Sequence, residues 1–224
     1  NGDNPKLEIV AVADVFKDRA QGAVKTFSNP KSDDYGPFVK QVKVTPETTF
    51  DGLDAYQKLL ATDVNLVILA TPPGFRPIHL EAAVKAKKNI FCEKPAAVDA
   101  TGARKCYGLV DEAKKNNIAI VAGTQRRHQK GYIETIKKIH DGAIGEVRAA
   151  RCSWNGNEPW FHARPAGMPD TDYQIHNWYH FLWLCGDHIV EQAVHSIDTM
   201  SWAVGDKRPD RCWGVGGRQA RIDE

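Results

Sequence analysis

The 224-residue sequence contains no glycine-rich G-x-G-x-x-G loop, no C-x-x-C pair and no marked excess of either charge. Its five cysteines (Cys92, Cys106, Cys152, Cys185 and Cys212) are odd in number and widely spaced. That spacing indicates neither a disulfide framework nor a zinc ribbon, and predicts reduced, mostly buried thiols. Thirty Lys and Arg against 28 Asp and Glu leave a net charge of +2, which offers no electrostatic footprint for nucleic acid or an anionic membrane. No apolar run approaches the roughly 18 residues of a membrane-spanning helix. The stretch from Asn1 does not read as a signal peptide, which is expected to lie upstream if the protein has one, and the sequence holds no internal repeat or low-complexity tract. The length fits one large domain or two modest ones, with enough chain to bury a core.

What is present is an alternation. Leu7–Ala13 reads as an apolar strand ending at Asp14, and Val39–Val44 is a basic, β-branched piece. Thr49–Leu60 has Leu53, Tyr56, Leu59 and Leu60 on one helical face. Val64–Ala70 is a fully apolar strand stopped by Thr71-Pro72-Pro73-Gly74. A helix over His79–Lys87, a strand from Ile90, a helix over Ala100–Lys115 and a strand over Ile118–Ala122 follow. Continuous apolar strands separated by helices predict a parallel sheet covered on both faces. Beyond Gly123 the pattern predicts a helix over Tyr132–His140, a half-exposed strand over Gly145–Trp154, a helix over Ile189–Val204 and a strand from Arg211 to Gly217. Residues 155–180 are rich in Trp, Tyr, His, Asn and Pro, a composition more typical of site-lining loops than of cores.

Four motifs carry chemistry. Asp14, at a strand end, can accept hydrogen bonds from the ribose hydroxyls of a dinucleotide and would repel a 2′-phosphate, although Lys17 nearby weakens that preference; it can equally be a turn aspartate. Thr71, Pro72 and Pro73 end a strand where α/β proteins bind ligands, and His79 is either a ligand-facing or a locally satisfied helix-start histidine. Glu93-Lys94-Pro95 puts an ammonium group at the end of a buried strand, where it can exchange a proton with a hydroxyl; a surface ion pair is the plain alternative. Glu191 and His195, four apart, are expected on one helix face, where a carboxylate can orient an imidazole as a general base. His176 and His180 share that spacing and with Glu191 and His195 can instead hold a metal, but H-E-x-x-H and facial-triad patterns are absent and no metal is expected. A dinucleotide site needs a glycine-rich turn about 20 residues before the acid. Only thirteen residues precede Asp14, so the sequence is expected to be an internal portion of a longer protein.

Together "ADVFKDRA" (13–20), "VILATPPGFRPIHLEAAVKAKKNIFCEKP" (67–95), "AGTQRRH" (122–128) and "EQAVHSIDTMSW" (191–202) resemble the glucose–fructose oxidoreductase, inositol dehydrogenase and MocA family. The resemblance implies an α/β fold: a doubly wound, Rossmann-type parallel sheet over 1–123, without its first strand and glycine loop, then a domain from 124 to 224 that begins a large, open, mostly antiparallel sheet. It implies that the lysine of the E-K-P motif and the histidine of a D-x-x-x-H helix flank the reacting carbon. Here these are Lys94 and His195, with Glu191 in the aspartate's place. Glu93, Thr71, Pro72, Pro73 and His79 would line the cofactor, as would Gln125 near the nicotinamide, while Arg126 would border the substrate. Tyr173, Asn177, Trp178 and Tyr179 are candidates for stacking on and hydrogen-bonding a saccharide.

The implied activity is NAD-dependent oxidation or reduction of a secondary alcohol or ketone of a sugar or cyclitol, with NADP less favoured. Glycosidic cleavage or epimerisation through transient oxidation with retained NAD is the second reading, and a non-catalytic sugar- or dinucleotide-binding protein the third. The expected partner is a small carbohydrate or polyol, with neither nucleic acid nor membrane, in a homo-oligomer (dimer or tetramer). The expected location is cytoplasmic, or periplasmic if an export signal precedes the sequence.

Overall fold

The computed structural model describes residues 7–156 and 159–217. The chain splits into two compact units, Asn1–Thr124 with Asn155–Val194, and Gln125–Trp154 with His195–Glu224. Residues 155–194 thus return to the first unit instead of continuing the second.

The first unit alternates strand and helix: β1 (Val12–Asp14), α1 (Lys17–Phe27), β2 (Thr49–Asp51), α2 (Ala55–Leu60), β3 (Leu66–Leu69), α3 (Arg76–Lys85), β4 (Asn89–Cys92), α4 (Ala100–Lys115) and β5 (Ile120–Ala122). Every strand pairing is parallel, in the orders β1-β2 and β3-β4-β5. The register sets Val67 beside Ile90 and Ile90 beside Ile120, so apolar side chains stack in rows on one face. On that face Leu80, Ala83 and Val84 of α3 and Leu109 and Ala113 of α4 close over Val67, Leu69, Ile90 and Cys92. Burying each larger side chain is worth about 1.5–3 kcal/mol, and this cluster is what holds the sheet and its helices together. The α4 helix starts where the Asp99 carboxylate accepts a hydrogen bond from Gly102 N at 2.6 Å, and ends with Lys114 and Lys115 against the negative end of the helix dipole.

The structure corrects several expectations. The β3-β4-β5 sheet is covered on one face only: Leu66, Ile68 and Val121 are 45%, 67% and 44% exposed. Among the described residues no strand joins the two sheets. Thr49–Leu60 is not one helix, because Thr49–Asp51 pairs with β1 and Gly52 takes φ +102°, a left-handed turn that separates strand from helix. Of the Val39–Val44 piece, only Val42 bridges, to Ile9; the preceding Gly36–Gln41 is a 3₁₀ turn. Gly145–Trp154 and Arg211–Gly217 form no ladder, since no described strand supplies them with hydrogen bonds. Cys152 and Cys212 are exposed, while Cys92 and Cys185 are buried, and all five thiols are free.

In the second unit, α5 (Lys130–His140) turns Ile136 inward. The segments α6 (Asp170–His176), α7 (Leu182–Cys185) and α8 (Asp187–Glu191) belong to the first unit, and α9 (Val194–Ala203) follows. The helix expected over Ile189–Val204 is therefore broken. The N–H groups of Gln192 and Ala193 both donate to the His188 carbonyl, each at 3.0 Å, and the second of these bonds spans five residues. That widened turn ends α8 at Glu191, so Glu191 and His195 do not share one continuous helix face. Among the described residues the second unit contains no β-strand. None of the described helices is long and apolar enough to cross a membrane.

Candidate functional site

Parallel pairing brings the C-terminal ends of β3, β4 and β5 to one edge, where Thr71, Glu93 and Gly123 follow their strands. Lys94 comes next after Glu93. Its ammonium group donates to Glu191 twice, to the carboxylate Oε1 at 2.8 Å and to the main-chain carbonyl at 2.6 Å. The side chains are 15% and 8% exposed, so this is a buried ion pair closed across 97 residues of chain. Burial pushes the Glu191 carboxyl up, while the Lys94 bond and charge, and then Arg76, pull it back. The second carboxylate oxygen, Glu191 Oε2, is buried without a hydrogen-bond partner, as is Arg76 Nε. Each is a buried polar atom that the protein's own groups leave unsatisfied.

Glu93 is held by its backbone, whose N–H donates to Leu69 O at 3.0 Å, and its Oε2 accepts from Lys94 N at 3.2 Å. Gly123 lies against it: a Cβ there would come 2.5 Å from Glu93 Oε2 and 2.9 Å from Glu93 Cα. Gly123 therefore leaves the room that Glu93 occupies.

Thr71 and His79 share a hydrogen bond of 3.0 Å between Oγ1 and Nδ1, and the His79 ring stacks between Tyr56 and Phe75 at 4.3 and 5.9 Å. Of the two readings open for His79, the locally satisfied one describes this contact. Pro73 is fully buried in the turn after β3. Asp14 Oδ1 accepts from Phe16 N at 2.9 Å, closing an Asx turn after β1.

Burial pushes the His79 imidazole down to about 4, below the usual value near 6.5. The folded protein thus holds His79 neutral where the unfolded chain would already bind a proton. Its stabilising contribution is complete above about pH 6.5 and is lost as pH falls through 4, a loss of about 3 kcal/mol. Urea unfolding at neutral and acidic pH should show this extra acid sensitivity, and His79→Phe should remove it. An unchanged pH dependence in the variant would contradict the assignment.

The aromatic segment is held together largely by contacts among its own side chains. Asn177 is fully buried, its Oδ1 accepting from His162 N at 2.8 Å and its Nδ2 donating to His162 O at 2.9 Å. Both ends of the amide thus tie the loop to the His162 backbone. Trp178 packs edge-on against Tyr179 at 5.3 Å, and Tyr173 lies under the Arg164 guanidinium at 5.1 Å. Burial raises the Tyr179 phenol, opposed by a hydrogen bond with the Gln192 side chain. His176 ends α6, packing against His162 and Phe16, while His180 Nε2 donates to the Trp160 carbonyl at 2.5 Å. Among the described residues no group of three or more His, Cys, Asp or Glu side chains converges as a metal site.

In the second unit, Gln125 is exposed and Arg126 lies over the rings of Tyr132 and Trp154, at 5.5 Å from each. The Trp154 indole in turn stacks on His195, with ring centroids 5.5 Å apart and planes 27° from parallel. The Arg127 guanidinium binds both carboxylate oxygens of Asp198 at 2.9 and 3.0 Å and both of Asp206, tying the α9 helix and its end to the 3₁₀ turn Gln125–His128. Arg76, Gly123, Trp154 and Arg127 were not singled out from the sequence. Only the position of Gly123, directly after a strand that ends at the ligand edge, offered a local signal.

Residues 1–123 match the family described as "Oxidoreductase family, NAD-binding Rossmann fold". An inositol 2-dehydrogenase of Rhizobium meliloti is 27% identical over 205 residues, covering 91% of this chain and 55% of that protein. One from Klebsiella pneumoniae is 31% identical over 183 residues, 80% of this chain and 47% of that protein. The chain thus spans about half the length of the curated relatives it matches. Among solved structures, the aldose-aldose oxidoreductase of Caulobacter crescentus, complexed with glycerol, superposes with a TM-score of 0.59 at 19% identity, over 88% of this chain and 50% of that one. At that identity the likeness concerns the fold.

Proposed function

The chain belongs to the oxidoreductase family with an NAD-binding Rossmann fold, and from that premise we propose that it takes part in oxidising or reducing a secondary alcohol of a sugar or cyclitol. The observation that carries this reading is the buried Lys94–Glu191 pair at the ligand edge of the sheet, with Glu191 Oε2 left without a partner. The residues fit a dinucleotide: Glu93, seated against Gly123, and Thr71 stand at the strand ends, and Asp14 Oδ2 is the atom proposed for a ribose hydroxyl. A carboxylate in that place favours NAD over NADP, because a 2′-phosphate would meet like charge. Bound NAD would supply the hydride acceptor.

The protein's own groups handle the proton. Lys94 spends two of its three N–H bonds on Glu191 and keeps the third for the substrate hydroxyl. The Glu191 carboxylate and main-chain carbonyl hold that ammonium group in place. His195, its ring plane set by Trp154, is proposed as the proton acceptor. Inositol 2-dehydrogenases among the relatives make cyclitols the first substrates to try, and the working assembly is proposed to be a homo-oligomer.

The test is to incubate the full-length protein with NAD and a panel of cyclitols and aldoses, myo-inositol first, and follow NADH. NADH formation that depends on the polyol supports the proposal. No turnover with any polyol or aldose, in either direction and with either NAD or NADP, would sink it.

A further inference from the structure

Arg76 is the first residue of α3, is only 5% exposed, and sits where the positive end of the helix dipole disfavours a cation. Its buried Nε has no partner. Neither helix propensity nor packing explains a guanidinium there, and a long aliphatic side chain would fill the space at lower desolvation cost. Its tertiary contacts give the reason. The Nη1 group donates to the Pro95 carbonyl at 2.6 Å, across 19 residues, and so grips the turn immediately after Lys94. Burial lowers the Arg76 guanidinium, and the charges of Cys92, Glu191 and Glu93 act to raise it again.

We infer that Arg76 is a positioning residue for the Lys94–Glu191 pair, clamping the turn that carries Lys94. The inference rests on the proposed role of Lys94. Without Arg76, Lys94 would be the one cation left of the two that act on Glu191. Glu191 would then ionise at higher pH, since Arg76 is one of the two cations that pull its carboxyl down. Lys94, Arg76 and Glu93 act on Glu191, and Tyr179 and Cys185 lie within its electrostatic reach. Neither of these last two is a cation, and neither would replace Arg76.

The experiment compares the full-length wild type with Arg76→Lys and Arg76→Met. One readout is the pH dependence of kcat/KM for myo-inositol with NAD. The other is the rate at which an acylating reagent labels the Lys94 amine, read by peptide mass spectrometry. In Arg76→Met, kcat/KM is expected to fall about a hundredfold, as for a misplaced catalytic group, with its acid limb moved to higher pH. Lys94 should label several-fold faster, because a protonated Glu191 no longer holds the amine. Arg76→Lys keeps the charge and should retain the wild-type acid limb. If Arg76→Met lowers the melting temperature but leaves both the acid limb and the labelling rate at wild-type values, the residue is merely structural and the inference is overturned. If the wild type turns over no polyol, the functional reading fails separately, and the labelling rate alone decides the role of Arg76.

Discussion

Lys94→Met is expected to lower turnover about a thousandfold, the usual scale for removing a positioned acid–base group. It should also destabilise the first unit by about 3 kcal/mol. The two effects have different origins. Turnover falls because no other described ammonium bonds to Glu191 at the strand edge. Stability falls because Glu191, 8% exposed, would keep a buried carboxylate with one oxygen already unpartnered and the other newly so. The protein would respond by protonating Glu191 at higher pH, so the loss should be smaller in acid. A second variant separates the effects. Lys94→Met with Glu191→Leu removes both charges and should recover most of the stability, since a buried ion pair is worth little more than well-packed apolar groups. It should recover none of the activity. Urea unfolding and steady-state kinetics on the single and double variants check this. Full turnover in Lys94→Met would sink the proposed chemistry, and a fully stable Lys94→Met would sink the account of the pair.

Gly74→Ala is expected to be the most disruptive single methyl addition in the first unit. The Gly74 N–H donates to the Leu184 carbonyl at 2.8 Å, which brings the turn after β3 against α7. A Cβ on Gly74 would collide with the Trp183 carbonyl oxygen and lie 3.0 Å from Leu184 Cα. Both obstacles are backbone and cannot swing aside as a side chain can. Leu184 is fully buried and Cys185 nearly so, which leaves α7 little freedom to retreat. Overpacking of this kind costs about 1–3 kcal/mol. The change should also reach Glu191, because α7 leads into α8 through Gly186, itself in a left-handed turn at φ +73°. Thermal unfolding should therefore show a lower melting temperature, and Lys94 acylation a loosened pair. A variant that melts like the wild type would show that the contact yields easily.

The same contact shows which features could be read ahead of the structure. The bounds of α4, Ala100–Lys115, were legible in full, because the cap at Asp99 and the lysines of the last turn are local to the helix. The strand ends at Thr71 and Glu93 were legible for the same reason: prolines and charges stop an apolar run locally. The partner of Asn177 was not legible, because an amide in an aromatic loop looks the same whether it faces a sugar or the backbone of His162, 15 residues earlier. The break after Glu191 was hidden because nothing in Gln192-Ala193 is unfavourable to a helix.

By itself the sequence determined the alternating α/β order, the parallel sheet, the acid–base residue types at the strand edge and the family resemblance, because periodicity, caps and turn residues act over one or two turns of chain. The tertiary structure alone decided that Lys94 meets Glu191 across 97 residues, that Arg76 is buried on Pro95, and that one sheet face stays open. Whether a buried polar group finds a partner depends on segments distant in sequence, and on how much water their packing leaves.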